Sequence, residues 1–119
     1  MHLSGIQKGI QFGHAVVDYI SRFGYKSDVQ QWALNDKTFI ILDGFSSVNM
    51  RENIIPKLVE LGFKYMEFRE PDLDNLLTAI VFLVPDTIYD YQYPDPSLLV
   101  DITIPKEVEW LRQFRLASN

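Results

Sequence analysis

The chain has two histidines, His2 and His14, and no cysteine. Thiol nucleophiles, disulfides and cysteine-ligated zinc are therefore excluded. No phosphate-binding glycine loop, nucleophile elbow or His-Glu-x-x-His pair is present. No carboxylates are spaced to complete a metal site around a histidine, so neither a metal nor a cofactor is expected. His14 follows Ile10 by four residues and precedes Asp18 by four, which on a helix places it beside both. A half-buried histidine bonded to Asp18 or to a backbone carbonyl is the plainer reading; a site residue is the sharper one. Lys8 falls in the first turns of the same stretch, where the helix dipole disfavours a cation. An anionic partner would offset that cost, whereas a solvated surface lysine needs none. "REPDLDN" (residues 69–75) packs Glu70, Asp72, Asp74 and Asn75 into one short turn. Turns favour these residues for local hydrogen bonding, and loops at strand ends also carry the sites of many α/β proteins. Tyr89, Tyr91 and Tyr93 offer stacking faces for bases or the apolar edge of an interface.

The elements that must position these residues follow from pattern. Ser4 with Gln7 three residues on is a capping box, so a helix is expected from there to Gly24. Gly5, Gly9 and Gly13 recur every fourth residue along it. Each interior glycine costs a helix about 1 kcal/mol relative to alanine. The expected compensation is a smooth face that packs closely on a sheet, with a ligand at the first turn as the alternative. "SDVQQWALN" predicts a short second helix anchored by Trp32 and Leu34. "KTFIILDG" (37–44) is apolar without alternation, the pattern of a strand covered on both faces. Residues 46–62 have helical period, with Pro56 predicting a start or a kink near Asn53. "FKYMEFRE" and "LTAIVFLV" predict two strands joined by the acidic turn, the second stopped by Pro85. Residues 105–116 predict a final amphipathic helix opened by Pro105.

Alternating helices and buried strands predict an α/β domain, a mixed β-sheet flanked by helices in a three-layer arrangement. The 119 residues suit one domain. With 47% hydrophobic and 23% charged residues the composition is that of a globular chain. No apolar run approaches the roughly 20 residues of a membrane span, and no signal peptide is apparent, so a cytoplasmic protein with no membrane partner is expected. The net charge of −5 lowers the expectation of a nucleic-acid partner, because phosphate neutralisation supplies most of that affinity.

The stretch "IQKGIQFGHA" (6–15), the order "W…KTFIILDG", the helix ending at Gly62, and "FREPDLDNLLTAIVFLVPD" (68–86) together resemble the type II peptidyl-tRNA hydrolases, over about residues 2–86. Gln11, His14 and Ala15 match the family's first helix, and Gly9 and Gly13 stand where it keeps small residues. Gln7 stands at the family's lysine position, with Lys8 about 100° further round the helix. The family's loop aspartate aligns with Glu70 or is replaced by Asp72, its loop threonine becomes Asp74, and Thr78 matches the threonine opening the last strand. "MHLSG" falls where the family's first strand ends, so the resemblance implies a divergent member with a hydrolase-like core over 2–86 that lacks that strand, and a C-terminal extension, 87–119, whose strand-like 97–104 would replace the lost strand or extend an edge. It implies hydrolysis of the ester joining a peptide to tRNA. Lys8, Glu70, Asp72 and Thr78 would be catalytic, and Gln7, Gln11, His14, Asp74 and Asn75 would bind substrate. The alternative is a non-catalytic protein-interaction module on the same fold, its partner another protein or a second copy. A third reading is a small-ligand domain. The charge around Lys8 separates the first two: a positive concavity holding Lys8, His14 and Thr78 favours tRNA, and an acidic surround opposes it.

Overall fold

The computed structural model describes residues 4–97 and 103–117. Helix α1 spans Gly5–Phe23. Its capping box is complete: Gln7 N–H donates to Ser4 Oγ at 3.1 Å, and Ser4 N–H donates to Gln7 Oε1 at 2.9 Å. Gly24 closes the helix, its N–H donating to Ile20 O. Helix α2, Ser27–Gln31, continues into a π turn at Trp32–Asp36. The buried anchor is Val29 rather than the predicted Leu34, which is 75% exposed.

Helix α3, Ser47–Asn49, is capped by the Ser46 hydroxyl and runs through a π turn, Met50–Ile54, into α4, Ile55–Leu61. Of the two expectations at Asn53, a start and a kink, the irregularity of a π turn within a longer helical run is found rather than a start. Pro56 lacks an N–H and crowds the carbonyl four residues before it, and the widened turn directly ahead accommodates both. Gly62 ends α4 at φ 81°, a conformation that strains any residue with a Cβ.

Strands β1, Tyr65–Glu70, and β2, Leu76–Phe82, pair antiparallel. Tyr65 lies opposite Phe82 and Phe68 opposite Ala79, and a bulge follows between Phe68 and Arg69. The connection is a 3₁₀ turn, Pro71–Leu73, completed by Asp74 and Asn75, both left-handed at φ 54° and 59°. Short α5, Asp86–Tyr89, and α6, Lys106–Leu111, follow; α6 is about half the predicted span.

The protein is therefore a mixed α/β chain built on a two-stranded antiparallel sheet. The wider mixed sheet is not formed among the described residues. Residues 37–43 were expected as a buried strand, yet they carry only one isolated bridge, Leu42 to Leu116. Phe39, Ile40 and Ile41 are 54, 43 and 38% exposed. The expected strand at 97–104 falls mostly outside the described residues.

The glycine stripe is a second correction. The side of α1 that packs on the sheet carries Gln11, Ala15 and Tyr19, all buried and four residues apart. Two residues is 200° of helix, so Gly9 and Gly13 lie on the opposite face. Both are exposed, and an added Cβ at either would meet nothing within 4 Å. Gly9→Ala and Gly13→Ala are therefore each expected to stabilise the protein, by about 0.5–1 kcal/mol, in urea unfolding. A close-packed glycine face would give the opposite sign.

Candidate functional site

Helix α1 crosses both strands, and the packing stripe begins with a polar residue. The Gln11 amide Nε2–H donates to Glu70 Oε2 at 3.1 Å, and its Oε1 faces the Thr78 hydroxyl at 3.4 Å. That hydroxyl lies equally close to Phe68 O, and its single proton serves one acceptor at a time. The other Glu70 oxygen accepts the Asp72 N–H at 3.3 Å. Glu70 therefore has both oxygens engaged, one holding α1 and one holding the turn. The sequence-predicted Gln11, Glu70 and Thr78 do come together, from three different elements.

Of the remaining predicted residues, Asp72 and Asn75 reach Glu70 through their backbone N–H groups. Gln7 is exposed and committed to the helix cap. Asp72, Asp74 and Asn75 are exposed on the tight turn. His14 is exposed rather than half-buried, its ring stacked over Phe68 with centroids 4.8 Å apart. Lys8 lies one turn before Phe12, and both line an open cleft together with Thr78.

This cleft has a volume of about 1520 Å³. One wall is β2 and its continuation to Pro85; the floor is α1 through Phe12, Val16 and Tyr19; the opposite wall is residues 38–48. That second wall is locally fixed. Phe39 sits edge-on to Phe12 and Trp32, at 5.5 and 5.2 Å, and Trp32 Nε1–H donates to Thr38 O at 2.9 Å. Further along, Asn49 Nδ2–H donates to Gly44 O, and Asp43 Oδ1 accepts the Phe45 N–H, holding Phe45 at φ 68°. At Gly44 a Cβ would come within 3.0 Å of Met50, so the wall lies directly on the π turn.

The charges lining the cleft are Asp28, Asp36, Asp43, Asp86 and Asp90 against Lys8 and Arg112. The concavity is acidic in balance. Arg112 is held at the C-terminal end, donating to Tyr91 O and lying 4.5 Å from the Tyr93 ring centroid. The tyrosines thus tie the tail to α6; the ring of Tyr91 also meets that of Tyr93 edge-on. Among the described residues no group of three or more His, Asp or Glu converges as a metal site, and no helix is long and apolar enough to cross a membrane.

Tyr19 marks the cleft floor. Burial pushes its phenol above the ordinary value, and the nearby Asp28 carboxylate adds to the rise; the Leu83 backbone N–H, bonding to the phenol, opposes it. The folded state thus favours the protonated phenol. Its contribution is fully present below the ordinary tyrosine value near 10 and is lost as pH rises through the raised folded value. The stability of the wild type should fall more steeply above about pH 10 than that of Tyr19→Phe, measured as paired urea midpoints. Parallel curves would contradict the burial.

The second wall is what sequence reasoning missed. The signal was present in "KTFIILDG", whose apolar residues on both sides of an extended chain call for cover on both faces. In the fold Phe39, Ile40 and Ile41 all remain exposed. Comparison of the chain with protein-family models, with curated proteins and with solved structures gives no match.

Proposed function

We propose that the protein is a non-catalytic binding module for polypeptide segments and that the cleft between β2 and residues 38–48 is its binding surface. The observation that carries this reading is an open apolar cleft with an acidic lining. Among the described residues the large side chains that are fully buried are Val29, Leu58, Leu77 and Val108, while Phe39, Ile40 and Ile41 remain open beside the cleft. Contiguous apolar surface of that kind marks an interaction site. Depletion of positive charge there opposes a polyanion and suits a cationic protein segment.

The second reading is a peptidyl-tRNA hydrolase-like ester hydrolase on a divergent form of the three-layer fold. The Gln11–Glu70–Thr78 network, with Lys8 and Thr78 on one cleft, favours it. In that reading Lys8 holds phosphate, Glu70 and Asp72 position water, and Thr78 polarises the ester carbonyl. Two observations weigh against it: Glu70 is occupied by structural hydrogen bonds, and Gln7 by the helix cap.

One experiment separates the readings. Pure protein is mixed with N-blocked aminoacyl-tRNA, and release of the aminoacyl group is followed beside binding of a labelled apolar peptide. Peptide binding without release supports the module. Release that Lys8→Ala and Thr78→Ala abolish supports the hydrolase and overturns the module.

A further inference from the structure

Resting on the polypeptide-binding reading, we infer how the cleft is filled: by one extended strand of a partner polypeptide, hydrogen-bonded along the free edge of β2, apolar over about seven residues and flanked by lysine or arginine. The first observation is the lining itself. Every residue from 76 to 85 borders the cleft. A cleft over one face of a strand would take alternate residues only, because side chains alternate between faces. An unbroken run is what a cleft along the strand's edge gives. Beyond its ladder with β1, β2 makes no backbone–backbone hydrogen bond among the described residues. Among the described residues its outer edge presents unpaired donors and acceptors, the template for strand addition.

The opposite wall is arranged the same way. Residues 38–48 also line the cleft without a break. Asp43 N–H donates to Arg115 O and Ala117 N–H to Ile41 O, both at 2.8 Å. Along an extended chain the backbone groups of successive residues point to opposite edges. Those of Ile40 and Leu42 therefore point away from 115–117, and neither residue makes a backbone–backbone hydrogen bond among the described residues. The cleft lies between one complete strand edge and a second extended segment with spare backbone groups.

Size admits a strand. Seven residues at about 3.3 Å each, with strand spacing near 4.8 Å and sheet thickness near 10 Å, occupy roughly 1100 Å³, within the cleft of about 1520 Å³. Charge selects the partner. Asp36, Asp86 and Asp90 lie exposed among the lining residues, so basic flanks are attracted. A second copy of this chain, itself at −5, is repelled.

The test uses the full chain and three fluorescein-labelled peptides followed by anisotropy at low salt: KKVTVIVTVKK, the same core with glutamate flanks, and the lysine-flanked peptide with proline at its central isoleucine. The lysine-flanked peptide is expected to bind at least about tenfold tighter than the glutamate-flanked one, by rim electrostatics. It should bind tighter than the proline peptide by a similar factor, because proline removes a ladder N–H. The double variant Asp36→Lys, Asp90→Lys alters exposed positions only; circular dichroism checks its fold, and it should reverse the flank preference. Equal binding of the proline peptide overturns strand addition while leaving polypeptide binding standing. No binding by any peptide overturns both. A concentration-dependent doubling of mass in sedimentation, without peptide, shows that a second copy fills the cleft and overturns the choice of partner.

Discussion

Leu77→Ala is expected to lower the unfolding free energy by about 3 kcal/mol. Leu77 is the one fully buried side chain of β2, at 2% exposure, on the strand that α1 crosses. Truncating a buried leucine removes its transfer free energy and leaves a cavity that the surroundings fill only in part, a combined cost of about 2–5 kcal/mol. Among the described residues few large side chains share the core, so there is little slack to repack. The neighbouring cleft residue Ile80 is only half-buried, and Ile80→Ala should cost clearly less. Urea unfolding of the two variants gives the comparison. Equal losses would mean that the cleft is closed in solution and Ile80 as buried as Leu77.

Gln11→Leu is expected to cost about 2 kcal/mol although leucine is apolar and of similar size. Gln11 is buried at 9% exposure and bonds both Glu70 and Thr78. Leucine there leaves the half-buried Glu70 carboxylate without its amide donor and the Thr78 hydroxyl without its acceptor on α1. A group left unsatisfied costs about 1–3 kcal/mol. Gln11→Leu with Glu70→Met and Thr78→Val removes all three partners together, and recovery of most of the loss would show that unpaired polar groups caused it. If Gln11→Leu is neutral by urea unfolding, the network is not formed in solution. The same variant speaks to chemistry: if the network were a catalytic centre, the triple variant would recover stability yet lose all ester hydrolysis.

What could be read from the sequence was what local rules decide. The capping box of Ser4 and Gln7, the stop at Gly24, the end of α4 at Gly62 and the paired strands 65–70 and 76–82 each depend on neighbours within a few residues, and each is present. Three of the predicted site residues, Gln11, Glu70 and Thr78, also meet, because α1 lies across both strands. The failures are non-local. Periodicity shows that Gly9 and Gly13 share a face; it cannot say which face the sheet occupies, and the buried stripe of Gln11, Ala15 and Tyr19 lies opposite. The apolar run at 37–44 shows that an extended segment needs cover, not that the cover lies within the same fold. His14 was drawn towards Asp18 by helix spacing, whereas the ring of Phe68, a residue 54 positions later, decides where it rests.

The central claim is that the β2 edge is an unfilled strand position that a partner segment occupies. Amide hydrogen exchange of the full chain by NMR, with and without saturating KKVTVIVTVKK, tests it most directly. Exchange at alternate residues of Leu76–Phe82 and at Ile40 and Leu42 should be fast in the free protein and slow in the complex, while the β1-facing amides of β2 change little. Cleft-edge amides already protected in the free protein, or unchanged at saturation, would contradict the claim.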